Sequence, residues 1–331
     1  MDSKTLAAIE ASDTDALLRI IDGWCEARMW EAMVEVRLHF SAALERGKQL
    51  WGVDEHVRYR LALEGPAELA AAMINEGPTR FTLGPLTEVA AQRLTWEETQ
   101  PHLDPGPARS MFAHERVIRG ERISGDVDPS VLEIPFEISD WEPRYQTAEY
   151  KTDRVEFPAP PSPRFSTTRI DTRPIVFSDP EVEEPLRLLT APWVEESTGR
   201  GETRAVEGGA LDAIAALGAR EFGVAKVNPC EALEWMAWAA ACGGALGRRR
   251  GAAAGRFGAW WAAAALTGFD WPVDPQDLGT TLDELNWLLW SDGDETGWHL
   301  RLAVEDPEHG VAWATSAVDS LPAQDPSTKG S

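Results

Sequence analysis

Apolar residues recur at three- and four-residue intervals through the first part of the chain. Leu17, Leu18, Ile20, Ile21, Trp24 and Cys25 make one helical stripe. Ser12-Asp13-Thr14-Asp15 precedes it and supplies an N-cap, with acids where the helix dipole favours them. A second stripe (Met29, Met33, Val36, His39, Phe40, Ala43, Leu44) ends near Gly47. Shorter helical segments follow at 54–64, 66–75, 85–94 and 107–119, parted by Gly65-Pro66 and Asp104-Pro105-Gly106-Pro107. Residues 1–120 therefore read as a helical domain, a bundle or an irregular stack of antiparallel helices, with no repeat of fixed period.

The pattern changes over 121–208, where ten prolines fall between Pro135 and Pro192. Short alternating or apolar pieces lie among them: Val131-Leu132-Glu133-Ile134, Arg169-Ile170-Asp171 and Ile175-Val176-Phe177. Proline excludes central strand positions, so these pieces predict edge strands or extended arms. Phe136, Trp141, Phe157, Phe165 and Phe177 favour a packed belt over a mobile linker.

Residues 209–321 read as a C-terminal helical domain closed by a β-hairpin, followed by a disordered polar tail over 322–331. Asn228-Pro229-Cys230-Glu231 is a capping box with proline at the first helical position. The helix it opens runs through Trp235, Met236 and Trp238 to Gly243-Gly244. An Ala-rich helix covers about 252–267, and Thr281-Leu282-Asp283-Glu284 predicts a third helix through Trp290. From Gly297 to Val304 the pattern alternates, the turn Asp306–Gly310 follows, and Val311-Ala312-Trp313-Ala314-Thr315 suits the second hairpin strand, although residues 311–319 fit a helix as well. The fold class expected is α+β, mostly α.

Composition narrows the function. The 331 residues carry 31 Lys+Arg against 55 Asp+Glu, a formal charge of −24, which argues against general nucleic-acid or anionic-membrane binding. Cys25, Cys230 and Cys242 are too few for a disulfide scaffold and suit a reducing cytoplasm. The opening Met1-Asp2-Ser3-Lys4 is polar and acidic where a secretory leader would be basic and then apolar. No charge-free apolar run reaches membrane-spanning length.

Two features stand out as chemistry. Nine of the 15 tryptophans lie between Trp235 and Trp313, and adjacent Trp260-Trp261 cannot both enter one buried helix face. Between 235 and 269 there are four arginines and no acid: Arg248, Arg249 and Arg250 between glycines, then Arg256. These arginines with Trp260 and Trp261 form the candidate binding patch for an anion or a partner. Guanidinium forks suit carboxylate or phosphate, so the partner expected is a protein with an acidic or phosphorylated surface, within a larger assembly or alone. The bland reading has the arginines pair with the thirteen acids of residues 270–325, which contain one base, Arg301.

Catalytic patterns are missing. Six scattered histidines include no H-E-x-x-H, there is no C-x-x-C, and no nucleophile elbow or phosphate loop appears. No metal, no cofactor and no catalytic residue is assigned. Cys230, near a helix N-terminus, is a weak candidate nucleophile, and Ser291–Gly297 only faintly resembles a calcium loop. An alternative reading is an enzyme or binding protein for a phosphorylated small molecule or nucleotide. There the arginines would clamp the anion and Asp270 or Asp294 would act as base.

Glu234-Trp235-Met236-Ala237-Trp238-Ala239, Gly247-Arg248-Arg249-Arg250-Gly251 and Arg256-Phe257-Gly258-Ala259-Trp260-Trp261 resemble an uncharacterised family of actinobacterial cytoplasmic proteins. Asp270-Trp271-Pro272-Val273-Asp274 and the segment from Gly297-Trp298 to Ala314 fit the same resemblance, which spans about 228–318. It implies no known activity and adds no catalytic residue. It marks the Arg-Gly-Trp segment as the place for a shared function.

Overall fold

The computed structural model describes residues 1–294 and 296–321, so the predicted frayed tail over 322–331 lies outside the described residues. The chain divides into two compact units, Met1–Val131 with Ala148–Glu156, and Leu132–Thr147 with the chain from Phe157 onward.

The first unit is helical: α1 (Ser3–Ala11), α2 (Thr14–Glu26), α3 (Trp30–Glu45), α4 (Trp51–Glu64), α5 (Ala67–Asn75), α6 (Leu86–Ala91), α7 (Trp96–Thr99) and α8 (Pro107–Ile118). The α2 stripe buries Leu17, Ile21 and Cys25, while α3 buries Met33, Val36, Phe40 and Ala43. The Asp13 carboxylate caps α2 by accepting the Ala16 N–H at 3.0 Å. A two-residue strand pair, β1 (Glu149–Tyr150) and β2 (Val155–Glu156), brings part of the Pro-rich segment into this unit. The Tyr150 hydroxyl bonds the buried Glu88 carboxylate. It also lies where a Cβ on Gly84 would stand, 2.0 Å away, so this close approach requires glycine.

The second unit is an antiparallel seven-stranded sheet carrying helices. Its strands are β3 (Ser166–Arg169), β4 (Ile175–Phe177), β5 (Arg200–Glu207), β6 (Glu221–Val227), β7 (Asn286–Ser291), β8 (Trp298–Asp306) and β9 (Val311–Asp319). Their order is β3-β6-β7-β8-β9-β5-β4. The hairpin β8–β9 forms at the expected place, turning over residues 307–310. Pieces of the Pro-rich segment become both edge strands, β3 and β4, as proline demands. Arg169 ends β3 rather than starting a strand, and Val131 closes a 3-10 turn at Pro129–Val131 with no strand beyond it.

Helices α9 (Pro180–Leu188), α10 (Ala191–Glu195), α11 (Ala210–Ala216), α12 (Pro229–Ala241), α13 (Ala252–Leu266) and α14 (Pro275–Leu282) complete the unit. Helix α11 packs on Val206, Phe222, Trp290, Ala303, Ala312 and Ala314. Residues of the opposite parity on the central strands, Trp287, Leu289, Leu300, Leu302 and Val304, are buried as well. Helices α9, α10 and α12 pack on the sheet, and α13 packs on α12.

One expected helix is a strand. The sequence Thr281–Glu284 does not open a helix through Trp290; α14 ends at Leu282 and Asn286–Ser291 is β7. The Asp274 carboxylate caps α14 instead, accepting the Gln276 N–H at 2.8 Å. Asn286-Trp287-Leu288-Leu289-Trp290 pairs with β6 on one side and β8 on the other, and that pairing outweighs a local cap signal.

Candidate functional site

The arginine run sits on the loop between α12 and α13. The capping box that opens α12 forms as the sequence predicts. Asn228 Oδ1 accepts the Glu231 N–H at 2.8 Å, and Glu231 Oε2 accepts the Asn228 N–H at 2.9 Å. The chain leaves α12 through Gly244 at φ +69° and enters α13 through Gly251 at φ +92°, both left-handed positions open to glycine.

Between them the loop is fastened to the rest of the unit. Asp319 Oδ2 accepts the Ala245 N–H at 2.7 Å, Ser197 Oγ the Leu246 N–H at 3.1 Å, and Glu196 Oε2 the Arg248 N–H at 3.0 Å. The Arg250 N–H returns to the Ala241 carbonyl at 2.9 Å. Gly243 and Gly247 touch backbone to backbone, and a Cβ on Gly243 would lie 2.0 Å from the Gly247 oxygen. Trp193 supports the turn by donating its indole N–H to the Cys242 carbonyl at 3.2 Å. Arg248 and Arg250 are exposed on this base, and Arg249 is half-buried with its guanidinium 4.0 Å from the Phe157 ring centroid. Arg250 Nη1 reaches the Leu188 carbonyl at 3.4 Å. Leu246 on the loop, with Leu188 and Val194 on α9 and α10, is exposed by 56%, 44% and 46%, an uncommon concentration of apolar surface beside arginines.

Arg256 and Trp260 do not belong to this surface. Arg256 is 0% exposed and Trp260 1%. Both serve Glu142, which the 132–147 segment carries into the same unit. Arg256 Nε donates to Glu142 Oε2 at 2.7 Å and Nη2 to Oε1 at 2.8 Å. Nη1 also donates to the Pro135 carbonyl at 2.8 Å and Nη2 to the Glu137 carbonyl at 2.7 Å. Trp260 Nε1 and Tyr145 Oη also donate to Glu142 Oε2, at 2.8 and 2.6 Å, and the Ser139 N–H donates to Oε1 at 2.8 Å. Burial pushes the Glu142 carboxyl up, but its bonds to Arg256 and the Arg256 charge outweigh this and hold it below the ordinary value. Burial and the Glu142 charge push Tyr145 well up. Here the expected anion clamp is a structural ion pair with an internal carboxylate.

Trp261 points elsewhere, as neighbouring helical positions must. It is half-buried, with ring centroids 6.0 Å from Phe257 and 5.2 Å from Trp271. The Trp271 indole donates to Glu133 Oε2 at 3.0 Å. Gly255 and Gly258 set the approach of α13 to α12: a Cβ on Gly255 would stand 2.3 Å from the Ala237 oxygen.

Arg256 does not pair with the acidic C-terminal stretch. The acid that Arg256 meets is Glu142, and within 270–325 it is Arg301 whose Nη2 meets Asp292 Oδ1 at 2.7 Å. Burial and the Glu234 and Glu231 charges push Cys230 up, so the helix terminus does not activate it; burial lifts Cys25 and Cys242 to about 11. Hydrogen bonds from the Thr296 side chain and N–H hold exposed Asp294 below its ordinary value, far from a base poised near neutrality. Asp270 is exposed. The stretch Ser291–Gly297 is a turn closed by Asx bonds and Arg301, apart from Glu295, which lies outside the described residues. Among the described residues no group of three His, Cys, Asp or Glu side chains could hold a metal ion, and no helix is long and apolar enough to cross a membrane.

Sequence reasoning missed Glu142, whose only local mark is its place in Trp141-Glu142-Pro143, and Trp193 and Phe157 as supports of the loop. No curated protein and no solved structure is similar enough to match. The model of DUF6183, a family of unknown function, matches residues 14–313, across both units, and the chain belongs to that family.

Proposed function

We propose that this protein is a non-enzymatic interaction protein of scaffold or regulatory type that works in the cytoplasm. Its contact surface is the loop bearing Arg248, Arg249 and Arg250, with Leu246 and the neighbouring Leu188 and Val194. The partner is a protein with an acidic or phosphorylated surface, singly or as a subunit of a larger assembly. The observation that carries this reading is the loop itself. Three successive arginines stand on a backbone fixed by bonds to Asp319, Ser197, Glu196 and Ala241, next to exposed leucine and valine. A preorganised cationic loop loses little entropy on binding, and guanidinium pairs with carboxylate or phosphate geometrically. The three cysteines are free thiols, which supports a reducing compartment.

The test is native affinity purification at low salt of the wild type beside the variant with Arg248, Arg249 and Arg250 all changed to Ala. A stoichiometric protein partner, released by raised salt and missing from the variant, is the expected result. Identical partners on both would overturn the assignment of the surface. A chain that emerges alone with a bound small anion would overturn the interaction reading altogether.

A further inference from the structure

The sheet of the second unit has a step in its edge. Strand β5 pairs with β9 along its whole length, Arg200 to Glu207, but β4 covers only Ala205 to Glu207 on the other side. After Phe177 the chain turns into α9, so among the described residues no strand pairs with the outer edge of β5 from Arg200 to Arg204. Five residues of strand span about 17 Å, and their outward N–H and C=O groups form a template for another strand.

Open grooves flank this step on both faces. On one side a groove of about 240 Å³ is lined by Gly201 and Thr203 of β5, Leu188, Ala191 and Val194, with Glu184 and Glu195. On the other a groove of about 320 Å³ is lined by Arg200 and Glu202 of β5, with Leu217, Ala219, Val318 and Asp292. Thr203 lines the first groove and Arg200 the second, with Gly201 and Glu202 bordering both, and side chains of an added strand would alternate between the two faces.

We infer that this edge receives an extended peptide of a partner protein by strand addition, with valine-like side chains on one face and lysine or arginine on the other. The small apolar residues would meet Leu217, Ala219 and Val318. The long basic residues would lay their methylene stems on Leu188 and Val194 and reach Glu184 and Glu195 with their charge. In that groove Arg187 is the one base, and it already pairs with Glu184 at 2.5 Å. The charged residues on the edge, Arg200, Glu202 and Arg204, discourage indiscriminate apolar pairing, so an incoming strand is chosen by its charges. This inference rests on the strand edge and not on the arginine loop.

The probe is the capped hexapeptide acetyl-Val-Lys-Val-Lys-Val-Lys-amide, titrated into the full-length, isotope-labelled chain and followed by amide NMR shifts. Saturable shifts at Arg200–Arg204, Thr190 and Val194 are expected. N-methylation of alternate peptide amides should weaken binding by about tenfold or more, since strand addition depends on main-chain bonds. Gly201→Leu should weaken it similarly by filling the groove. A Cβ at this position finds only ordinary contacts, 3.5 Å to Val194 Cγ2 and 3.6 Å to Ala317 Cβ and Thr190 Oγ1, so the backbone admits a side chain, and a thermal melt checks that the variant is folded. The exposed Glu195→Lys change gives a second variant with the same expected loss. The triple arginine-to-alanine variant should bind the peptide as wild type does. Shifts that are missing at millimolar peptide, insensitive to N-methylation, or lost in the arginine variant would each overturn the inference.

Discussion

Arg256 and the Arg248–Arg250 run lie within nine positions of one another and belong to the same acid-free stretch, yet their surroundings are opposite. Arg256 is sealed from water with every guanidinium arm engaged by Glu142, Pro135 or Glu137. Arg248 and Arg250 stand in solvent on a loop that is held through its backbone. The same side chain organises a core in one place and a surface in the other. What separates them is burial: Arg256 is 0% exposed, while Arg248 and Arg250 reach the surface.

The sharpest break in this comparison is Arg256→Met. It leaves the Glu142 carboxylate buried without its cation, and loss of one member of a buried pair costs about 3–5 kcal/mol. Urea denaturation followed by tryptophan fluorescence measures this. Pairing the change with Glu142→Gln should recover part of the loss, because the unpaired charge is removed. Equal destabilisation by the single and double variants would show that the charge is not what matters there.

The same pair fixes a pH dependence. Glu142 is held below its ordinary value of 4.5 in the folded chain, so the unfolded chain binds more protons in that region. Its contribution is complete above about pH 4.5 and falls away as pH drops through the folded value. Denaturation midpoints measured from pH 7 to 3 should fall more steeply for the wild type than for Glu142→Gln, which cannot titrate.

Gly255→Ala ranks next. Its Cβ would stand 2.3 Å from the Ala237 carbonyl oxygen and 2.7 Å from Ala241 Cβ, forcing α13 away from α12. Overpacking of this kind costs about 1–3 kcal/mol. Gly258→Ala meets Ala240 Cβ at 2.9 Å and Leu189 Cδ2 at 3.6 Å, both side chains rather than backbone, and should cost less in the same urea denaturation.

These contrasts also mark where the sequence is legible. The caps at Asp13 and Asn228, the α2 and α3 stripes and the β8–β9 hairpin rest on neighbouring residues, so local pattern predicts them. Strand β5 has little apolar content in Arg-Gly-Glu-Thr-Arg-Ala-Val-Glu and exists because β9, a hundred residues on, pairs with it. Strand β6 depends likewise on β7. Arg256 finds Glu142 across 114 positions, and Trp260 finds it across 118, so nothing near either residue announces its burial. A cluster of arginines in sequence therefore predicted a cluster in space, and burial divided it. Trp260 and Trp261 were separable by helix geometry alone, though the ring partners Trp141 and Trp271 were not.

The smallest expected effect on stability completes the comparison. Replacing Arg248, Arg249 and Arg250 with Ala should lower stability by about 1 kcal/mol, less than Arg256→Met because these side chains are exposed or half-buried, with the loss of the Arg249 contact on the Phe157 ring a part of it. The bonds to Glu196 and Ala241 come from the backbone N–H groups of Arg248 and Arg250 and survive the change of side chain. The variant should thus melt close to the wild type while losing its salt-sensitive partner, the reverse of Arg256→Met, which should unfold early at any salt. A triple variant as unstable as Arg256→Met would mean that the loop guanidinium groups also hold the fold together. A surface that the fold does not need for its own stability is one that remains available to recognition.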